Sequence, residues 1–233
     1  MTTSGLKRKI TRVTELLEEH QGPIAWKGPK RNPLPGLIRT ILSQATNDLN
    51  RDRAYMSLMD RFGGDWDKIR RGPTRAVRDA IRGAGLANQK APRIQAVLKW
   101  ARANYGGYDL KALCSMPEEE VFETLGSLKG VGVKTVAVVL MFACGADLSA
   151  VDTHVHRIMR RLGVVGQKAT AERTFEILRP LVPEGKGHSL HLNLIAFGRS
   201  TCKARRPLCG TCFLRRLCLY YRTVFLRDEA RAG

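Results

Sequence analysis

Residues Leu128–Asp152 read LKGVGVKTVAVVLMFACGADLSAVD, which joins a glycine-bracketed turn, one lysine, an apolar run and a carboxylate. Gly130 and Gly132 favour a tight turn with exposed N–H groups, because glycine tolerates positive φ and has no side chain in the way. If a helix starts near Val133, those N–H groups join the positive end of its dipole and can bind a phosphate. Lys134 would then lie in the first helical turn. From the glycines alone, an ordinary turn between two helices with a solvated lysine remains the alternative.

Helical periodicity on the N-terminal side of this turn indicates that it joins two helices. Val121, Phe122, Leu125 and Leu128 recur at the spacing of one helical face. On the C-terminal side, the stretch ends on a carboxylate in the phrase Val151-Asp152-Thr153-His154. The sequence therefore predicts a helix-hairpin-helix that is followed by a lysine and then by VDTH.

The composition indicates a globular protein that binds a polyanion. The chain has 233 residues, enough for one domain or two small ones, and 43% of them are hydrophobic. Its 40 Lys and Arg against 21 Asp and Glu give a net charge of +19, for which nucleic acid is the usual partner. An acidic membrane is the competing partner, but no long basic amphipathic segment or lipidation signal supports it. The N-terminus lacks the apolar core of a signal peptide, so we expect an intracellular protein.

Apolar spacing predicts helices along the whole chain, and no stretch alternates long enough to predict a sheet. We therefore predict an all-α fold, with a Pro- and Gly-rich loop over residues 21–36. Further helices are expected to start after Pro117 and to lie around Glu172–Leu178 and Ser189–Phe197. The predicted buried faces are Leu6, Ile10, Val13 and Leu17; Leu37, Ile38, Ile41 and Leu42; Leu49, Met56, Met59 and Phe62; Ile94, Val97, Leu98 and Ala101; and Val155, Ile158 and Met159.

Four of the six cysteines lie close together near the C-terminal end of the chain. Their spacing is C-x6-C-x2-C-x5-C, formed by Cys202, Cys209, Cys212 and Cys218. Four thiolates can hold one tetrahedral Zn²⁺ or a [4Fe–4S] cluster, and this spacing differs from the ferredoxin patterns, so the residues alone favour zinc. Cys114 and Cys144 stand apart, which does not fit the disulfide framework of a secreted protein.

Together, the hairpin, the lysine, the VDTH phrase and the cysteine spacing resemble the endonuclease III family of DNA repair glycosylases, over roughly residues 30 to 220. The resemblance implies two helical domains with a DNA-binding cleft between them. Residues 31–148 would form a six-helix domain with the helix-hairpin-helix, and residues 1–30 and 149–233 a discontinuous domain. The resemblance also implies that the four cysteines ligate a [4Fe–4S] cluster, which would be structural and would hold a basic loop at fixed positions.

The resemblance assigns the chemistry to Lys134 and Asp152. An unperturbed lysine has a pKa of about 10.4, so a helix N-terminus and a poorly solvated environment must help the amine to lose its proton. The amine would attack the anomeric carbon of the deoxyribose, release the damaged base and form a Schiff base, and β-elimination would cut the strand on the 3′ side. Asp152 would stabilise the developing positive charge. Family members with tyrosine or serine at the lysine position are monofunctional, so the lysine implies lyase activity.

The resemblance and the charge pattern also predict which residues contact DNA. A base inside a duplex is out of reach, so the enzyme must flip the nucleotide out and fill the gap. Leu86 resembles the family's apolar wedge and Gln44 its gap-filling residue; a core leucine and a solvated glutamine are the alternatives. Ordinary solvated charge is the alternative for the cations between the first two cysteines. The remaining predicted contacts are Lys129, Gly130, Val131 and Gly132 in the hairpin and Lys203, Arg205 and Arg206 in the cysteine segment.

Some residues depart from the family's pattern. Asn47 stands where aspartate is usual, Lys129 replaces the proline of the hairpin, and Val133 replaces a basic residue. His156 stands where an apolar side chain is common, whereas His154 matches the family and is expected to be structural. These changes can alter substrate range or turnover, but they leave the proposed nucleophile and carboxylate in place.

Three functions fit these observations. The first is a bifunctional DNA glycosylase and AP lyase that removes oxidised pyrimidines. The second is a related enzyme that prefers uracil or a G·T mismatch, or that is chiefly an AP lyase. The third is a non-enzymatic DNA-binding protein, which Lys134 and Asp152 together disfavour. We expect a monomer without a membrane partner that acts on double-stranded DNA containing damaged bases or abasic sites.

Overall fold

The computed structural model describes residues 2–227 and residue 230, which are helical throughout and include no strand. The prediction of an all-α fold is confirmed. A π turn, Leu140–Cys144, directly extends α8, and a 3₁₀ turn, Arg82–Ala84, precedes α6. The α-helices are α1 (Thr3–Gln21), α2 (Pro33–Ser43), α3 (Asp48–Arg61), α4 (Trp66–Arg71), α5 (Thr74–Ala80), α6 (Ala87–Tyr105), α7 (Glu118–Gly126), α8 (Val133–Val139), α9 (Thr153–Leu162), α10 (Ala171–Leu178) and α11 (Gly187–Ser200).

Contacts between Cα atoms divide the described chain into two compact units. The hairpin unit is Pro29–Gly145, and the cysteine unit is Met1–Gly28 together with Ala146–Gly233. The assignment of these units as functional domains stays a prediction. Among the described residues, no helix is both long enough and apolar enough to cross a membrane.

The core of the hairpin unit is built around α2, as its periodicity predicts. Leu37, Ile38, Ile41 and Leu42 are completely buried. Burying one such side chain stabilises the fold by about 1.5–3 kcal/mol relative to leaving it exposed. The helix starts at Pro33, earlier than predicted, because proline is tolerated in the first helical turn and the side chain of Asn32 accepts a hydrogen bond from the N–H of Leu34 at 3.0 Å. The loop expected over residues 21–36 is therefore too long.

The helix predicted before Gly63-Gly64 is confirmed as α3, but the apolar residues that indicate it are not its buried face. Leu49 and Met56 are 59% and 53% exposed, whereas Tyr55 and Leu58 are buried. The guanidinium carbon of Arg39 lies 4.0 Å from the centre of the Tyr55 ring, so this aromatic side chain also has a cationic partner. Met59 and Phe62 are partly buried, so packing against α2 favours the side of α3 that carries Tyr55 and Leu58 over the one indicated by helical spacing.

The structure joins Cys114 to Cys144 in a disulfide with a Cα–Cα distance of 5.0 Å. The prediction that these two cysteines stand apart is therefore wrong. They are 30 residues apart in the sequence, and this separation does not reveal that they lie close together in the fold. The bond connects the 3₁₀ turn Lys111–Ser115 to the end of the π turn after α8. It therefore closes the loop that contains the whole helix-hairpin-helix.

The cysteine unit brings together the first helix and the end of the chain. Ile10, Val13 and Leu17 of α1 are completely buried, as predicted, and α1 packs against α11. Polar contacts fix the end of α1: Gln21 Nε2 donates to the carbonyl of Asn193 at 3.1 Å, and Asn193 Nδ2 donates to that of Gly22 at 3.0 Å. These bonds satisfy buried polar groups that would otherwise destabilise the unit.

Candidate functional site

The hairpin turn lies between α7 and α8, where the sequence predicts it. Gly130 has φ +87°, and a Cβ there would lie 2.6 Å from Cδ of Arg93, so this position needs glycine for two reasons. Gly132 has φ −97° and caps α8 with extended backbone, and no atom lies within 4 Å of where its Cβ would be. Only one of the two glycines therefore uses the conformational freedom that the sequence suggests for both.

The hairpin presents N–H groups, but not all of those that were predicted. Val131 is buried, and its N–H donates to the carbonyl of Leu128 at 3.0 Å, so this residue is already engaged within the turn. In the described part of the chain, the N–H groups of Gly132, Val133 and Lys134 donate no main-chain hydrogen bond. Unpaired N–H groups at the start of a helix attract anions. The N–H groups that are available to bind an anion thus lie one or two residues closer to α8 than the predicted contacts Lys129–Gly132.

Lys134 is the second residue of α8, and its side chain is exposed. The protein alone does not supply the poorly solvated environment that the sequence analysis expects for this amine. Lys129, in the same turn, is exposed as well.

Asp152 is the N-cap of α9, with extended backbone at φ −92°. Its Oδ1 accepts a hydrogen bond from the N–H of Val155 at 2.8 Å, which stabilises the helix start and fixes the direction of the carboxylate. The residue is half-buried. Asp152 belongs to the cysteine unit and Lys134 to the hairpin unit.

The two histidines after Asp152 are held by neighbouring helices. The ring of His154 packs against Gly198, where a Cβ would come within 2.8 Å of its Nδ1, and Nη2 of Arg157 lies 3.1 Å from the same nitrogen. Nδ1 of His156 lies 2.9 Å from Oγ1 of Thr174, and burial lowers the pKa of this histidine. Both side chains thus pack within the cysteine unit, as the sequence analysis expects of His154.

The loop before α6 presents Leu86 to solvent. This leucine is 47% exposed and has φ +50°, a left-handed conformation that a residue other than glycine adopts only at a cost. The alternative that Leu86 is a core residue is excluded by its exposure. A large apolar side chain held outward in this way is available for insertion into DNA.

Gln44 follows α2 directly, and the structure brings it to the hairpin turn. Its Nε2 donates to the carbonyl of Gly130 at 2.9 Å, and its Oε1 accepts from Nη1 of Arg93 at 3.2 Å. The glutamine is therefore held in place and is not a freely solvated side chain. Ala45, the next residue, has φ +53°.

The four C-terminal cysteines line a single cavity. Among the described residues, no three His, Cys, Asp or Glu side chains converge closely enough to hold one metal ion. Four cysteine sulfurs around a shared apolar cavity are a ligand set that a [4Fe–4S] cluster uses. The arrangement therefore fits the [4Fe–4S] cluster.

Without metal, the electrostatics of this cavity favour protonated thiols over thiolates for three of the four cysteines. Burial raises the pKa of Cys212 to about 11, and burial together with the other thiolates raises the pKa values of Cys209 and Cys218. Metal binding must displace these protons, because the thiolate is the ligand. Nη1 of Arg161 lies 3.3 Å from Sγ of Cys202 and places a cation beside the sulfur atoms.

The loop between the first two cysteines is fixed by two arginines of α9. Arg157 donates to the carbonyls of Cys202 at 2.9 Å and Gly198 at 2.9 Å, and Arg161 donates to those of Lys203 at 2.7 Å and Ala204 at 3.1 Å. The basic side chains that follow are exposed, namely Lys203, Arg205 and Arg206. The helix that Asp152 caps thus also holds the loop that carries these charges.

Four cationic residues of the site are not predicted from the sequence: Lys90, Arg93, Arg157 and Arg161. Each donates to main-chain carbonyls or to a side-chain amide rather than to an acid. In a chain with 40 Lys and Arg, nothing in the sequence separates such internal cations from surface charge. The one available signal is position, because Lys90 falls on the face of α6 that also carries Ile94 and Val97.

The fold and the site define an all-helical protein with a helix-hairpin-helix and a four-cysteine cofactor site. Residues 38–184 match the HhH-GPD superfamily of base excision DNA repair proteins, and residues 202–218 match the iron-sulfur binding domain of endonuclease III. The chain belongs to the endonuclease III family of this superfamily. Its cofactor is the [4Fe–4S] cluster.

Two relatives and two solved structures illustrate the similarity. The chain is 35% identical to the Endonuclease III of Thermotoga maritima. The alignment spans 89% of this chain and 94% of the relative. It is 32% identical to that of Sulfolobus acidocaldarius, over 83% of this chain and 85% of the relative. A non-covalent Endonuclease III–DNA complex matches with a TM-score of 0.77 and 27% identity, covering 97% of this chain and 98% of the other. A thermostable thymine-DNA glycosylase matches with a TM-score of 0.75 and 25% identity, covering 95% and 99%.

Proposed function

We propose that this enzyme excises oxidised pyrimidines from double-stranded DNA and cuts the strand through a Schiff base on Lys134. Its class, a base-excision DNA glycosylase and AP lyase, follows from its family. The observation that carries the proposal is the exposed lysine in the first turn of α8, directly after the hairpin. A trapped covalent Endonuclease III–DNA intermediate is among the similar structures, with a TM-score of 0.77 and 27% identity.

In the proposed reaction, the neutral amine of Lys134 attacks C1′ of the deoxyribose. The C1′–N bond to the base breaks, and the base leaves with the bonding electrons and takes up a proton. The attached amine then loses a proton, and its nitrogen lone pair breaks the C1′–O4′ bond, so that the sugar ring opens, O4′ takes up a proton and a protonated imine forms at C1′. This imine makes the C2′ proton acidic; its removal breaks the C3′–O bond, and the 3′ phosphate leaves with the bonding electrons. The carboxylate of Asp152, whose direction is fixed by Val155, stabilises the positive charge that develops on the sugar.

The hairpin and the cysteine segment are proposed to bind the DNA backbone. The free N–H groups of Gly132, Val133 and Lys134 are suited to a phosphate. The exposed side chains of Arg205 and Arg206 would neutralise further phosphates, which makes binding dependent on salt. When bound by the four cysteines, the [4Fe–4S] cluster clamps this segment and supplies no step of the excision.

Leu86 and Gln44 are proposed to hold the duplex open. The exposed leucine would be the wedge between base steps, and the glutamine would fill the space of the flipped nucleotide. In the DNA-free protein the glutamine is bonded to Gly130 and Arg93. Insertion into DNA must therefore exchange these two hydrogen bonds for contacts to bases.

One observation favours a second candidate substrate. The similar thymine-DNA glycosylase has a TM-score of 0.75, so the same fold also serves an enzyme named for thymine. A G·T mismatch or uracil is therefore the alternative target. We propose that the enzyme acts as a monomer in the cytoplasm, where a prokaryotic chromosome would be its substrate.

Side-by-side incision assays decide between these substrates. The panel consists of duplexes with thymine glycol, uracil, a G·T mismatch or an abasic site, with and without borohydride. We expect base release from thymine glycol, incision at the abasic site and a borohydride-dependent covalent adduct at both. Base release from the mismatch or uracil without release from thymine glycol would instead support the alternative, and absence of any adduct would contradict the lysine mechanism.

A further inference from the structure

Lys90 of α6 is a buried cation whose hydrogen bonds go to the main chain. Its side chain is 0% exposed, and Nζ donates to the carbonyl of Leu42 at 2.7 Å and to that of Ala84 at 2.9 Å. Within the described residues, no carboxylate forms an ion pair with it. Burying an ammonium without a counter-charge is unfavourable, and an apolar side chain of similar length would avoid this cost. The ammonium must therefore have a role that packing alone does not require.

The two carbonyls that Lys90 binds have equivalent positions in their loops. The carbonyl of Leu42, in the last turn of α2, lies two residues before Gln44. The carbonyl of Ala84, at the end of a 3₁₀ turn, lies two residues before Leu86. One ammonium thus joins the backbones that carry both residues proposed to enter DNA.

Both loops also contain a backbone conformation that needs support. Leu86 itself has φ +50°, and Ala45, directly after Gln44, has φ +53°. Left-handed conformations of residues other than glycine are unfavourable and persist only where the surrounding structure holds them. The pKa of Lys90 is lowered by burial and by the charge of Arg93, whereas the two carbonyls that accept from Nζ favour the ammonium form.

We propose that Lys90 is a positioning residue that fixes the distance between Leu86 and Gln44, so that both enter the duplex together. This inference rests on the proposed function, in which these two residues hold the duplex open. Lys90 touches neither the sugar nor the base. Its loss is therefore expected to affect reactions that require an opened duplex and to spare the lysine chemistry on single strands.

The test compares Lys90→Met, which keeps the length of the side chain but removes the charge, with the matched control Lys99→Met. Lys99 lies on the same helix with its side chain exposed. Two rates are measured for each protein. One is single-turnover base release from the duplex that the wild type cuts fastest, and the other is borohydride trapping on a single-stranded oligonucleotide with one abasic site.

We expect Lys90→Met to slow base release in duplex by about 10-fold to 100-fold, since small misplacements of positioning groups have effects of this size. Trapping on the single strand should stay within about twofold of wild type, and Lys99→Met should change neither rate by more than that. Unchanged duplex release would overturn the proposal. A parallel loss on both substrates would overturn it too, because it would show a general structural role.

A second variant separates positioning from stability. In a protein that already carries Leu86→Ala, Lys90→Met should slow duplex release much less than in the wild type, because the residue that it positions is gone. If Lys90→Met instead slows duplex release by the same factor in the Leu86→Ala protein as in the wild type, the proposal is contradicted. If Lys90→Met does not fold, Lys90→Gln is measured instead: its amide still donates a hydrogen bond, so the loss in duplex should be smaller but still selective, and unchanged duplex release would again overturn the proposal. A wild type without activity on either substrate would refute the proposed function itself, and this inference with it.

Discussion

The hairpin turn and the cysteine segment both present basic side chains, but they are held in place by different means. In the hairpin, main-chain bonds within the turn and the side chains of Gln44 and Arg93 fix Lys134 and its neighbours without any ligand. The segment 202–218 is held from one side by arginines of α9 and surrounds a cavity that its cofactor fills. The first region is organised by the polypeptide alone, and the second is expected to depend also on its metal cluster.

In the proposed mechanism, this difference separates chemistry from binding. A nucleophile must be placed accurately relative to the reacting carbon, and a preformed turn supplies this accuracy without a further component. Phosphate contacts tolerate more variation, because they act largely through charge. Changes in the hairpin unit should therefore affect the reaction, whereas changes in the cysteine segment should affect stability and affinity.

The largest effect is expected for Lys134→Gln, which tests whether the hairpin holds the nucleophile. Borohydride trapping and strand incision should both be lost, while binding to lesion DNA persists because the N–H groups of the turn remain. The matched control is Lys129→Gln, which removes an exposed lysine and predicted DNA contact from the same turn: it should weaken binding but leave trapping intact at saturating DNA. Persistent trapping in Lys134→Gln would place the nucleophile elsewhere.

Asp152→Asn should have the next largest effect, a fall in base release of about 10²–10³-fold, as for the removal of one charge-stabilising group. Asparagine also caps helices well, so α9 should start at the same residue and thermal stability should change little. Some trapping at abasic sites should survive, since the amine is still present. Base release at the wild-type rate, measured under single-turnover conditions, would remove Asp152 from the mechanism.

Cys209→Ser sharpens the contrast between the two regions. Loss of one ligand should release the cluster, and hydrogen exchange in residues 202–218 should become faster by at least about 100-fold as this segment opens locally. The amides of Thr135 and Val136, which bond to Gly132, should remain as protected as in the wild type. Equal loss of protection in both regions would show that the hairpin also depends on the cluster.

The smallest effect is expected for Gly130→Ala, measured against Gly132→Ala. Alanine at φ +87° should cost about 1–2 kcal/mol of stability, and it would push away Arg93, a partner of Gln44. At Gly132 the backbone is extended and open space surrounds the Cβ position, so that substitution should be nearly neutral. Thermal unfolding of the two variants gives the comparison, and equal melting temperatures would contradict it.

Local sequence patterns predicted those parts of the molecule that depend on neighbouring residues. The hairpin between α7 and α8 and the buried face of α2 follow from periodicity and glycine placement. The outward face of α3, the disulfide and the partners of Lys90 depend on which helices pack together in three dimensions. Short helices such as α4 also escaped prediction, because six residues carry too little periodicity.

The pairing of α1 with α11 has a consequence for synthesis on the ribosome. About 165 residues separate the end of α1 from the start of α11, so α1 emerges long before its partner. At a synthesis rate of about 5–20 residues per second, α11 is made roughly ten to thirty seconds after α1. During this time the apolar face of Ile10, Val13 and Leu17 lacks the helix that it packs against. The hairpin unit is complete in the nascent chain during that interval, which gives it the opportunity to fold first and makes α1 the segment most in need of a chaperone.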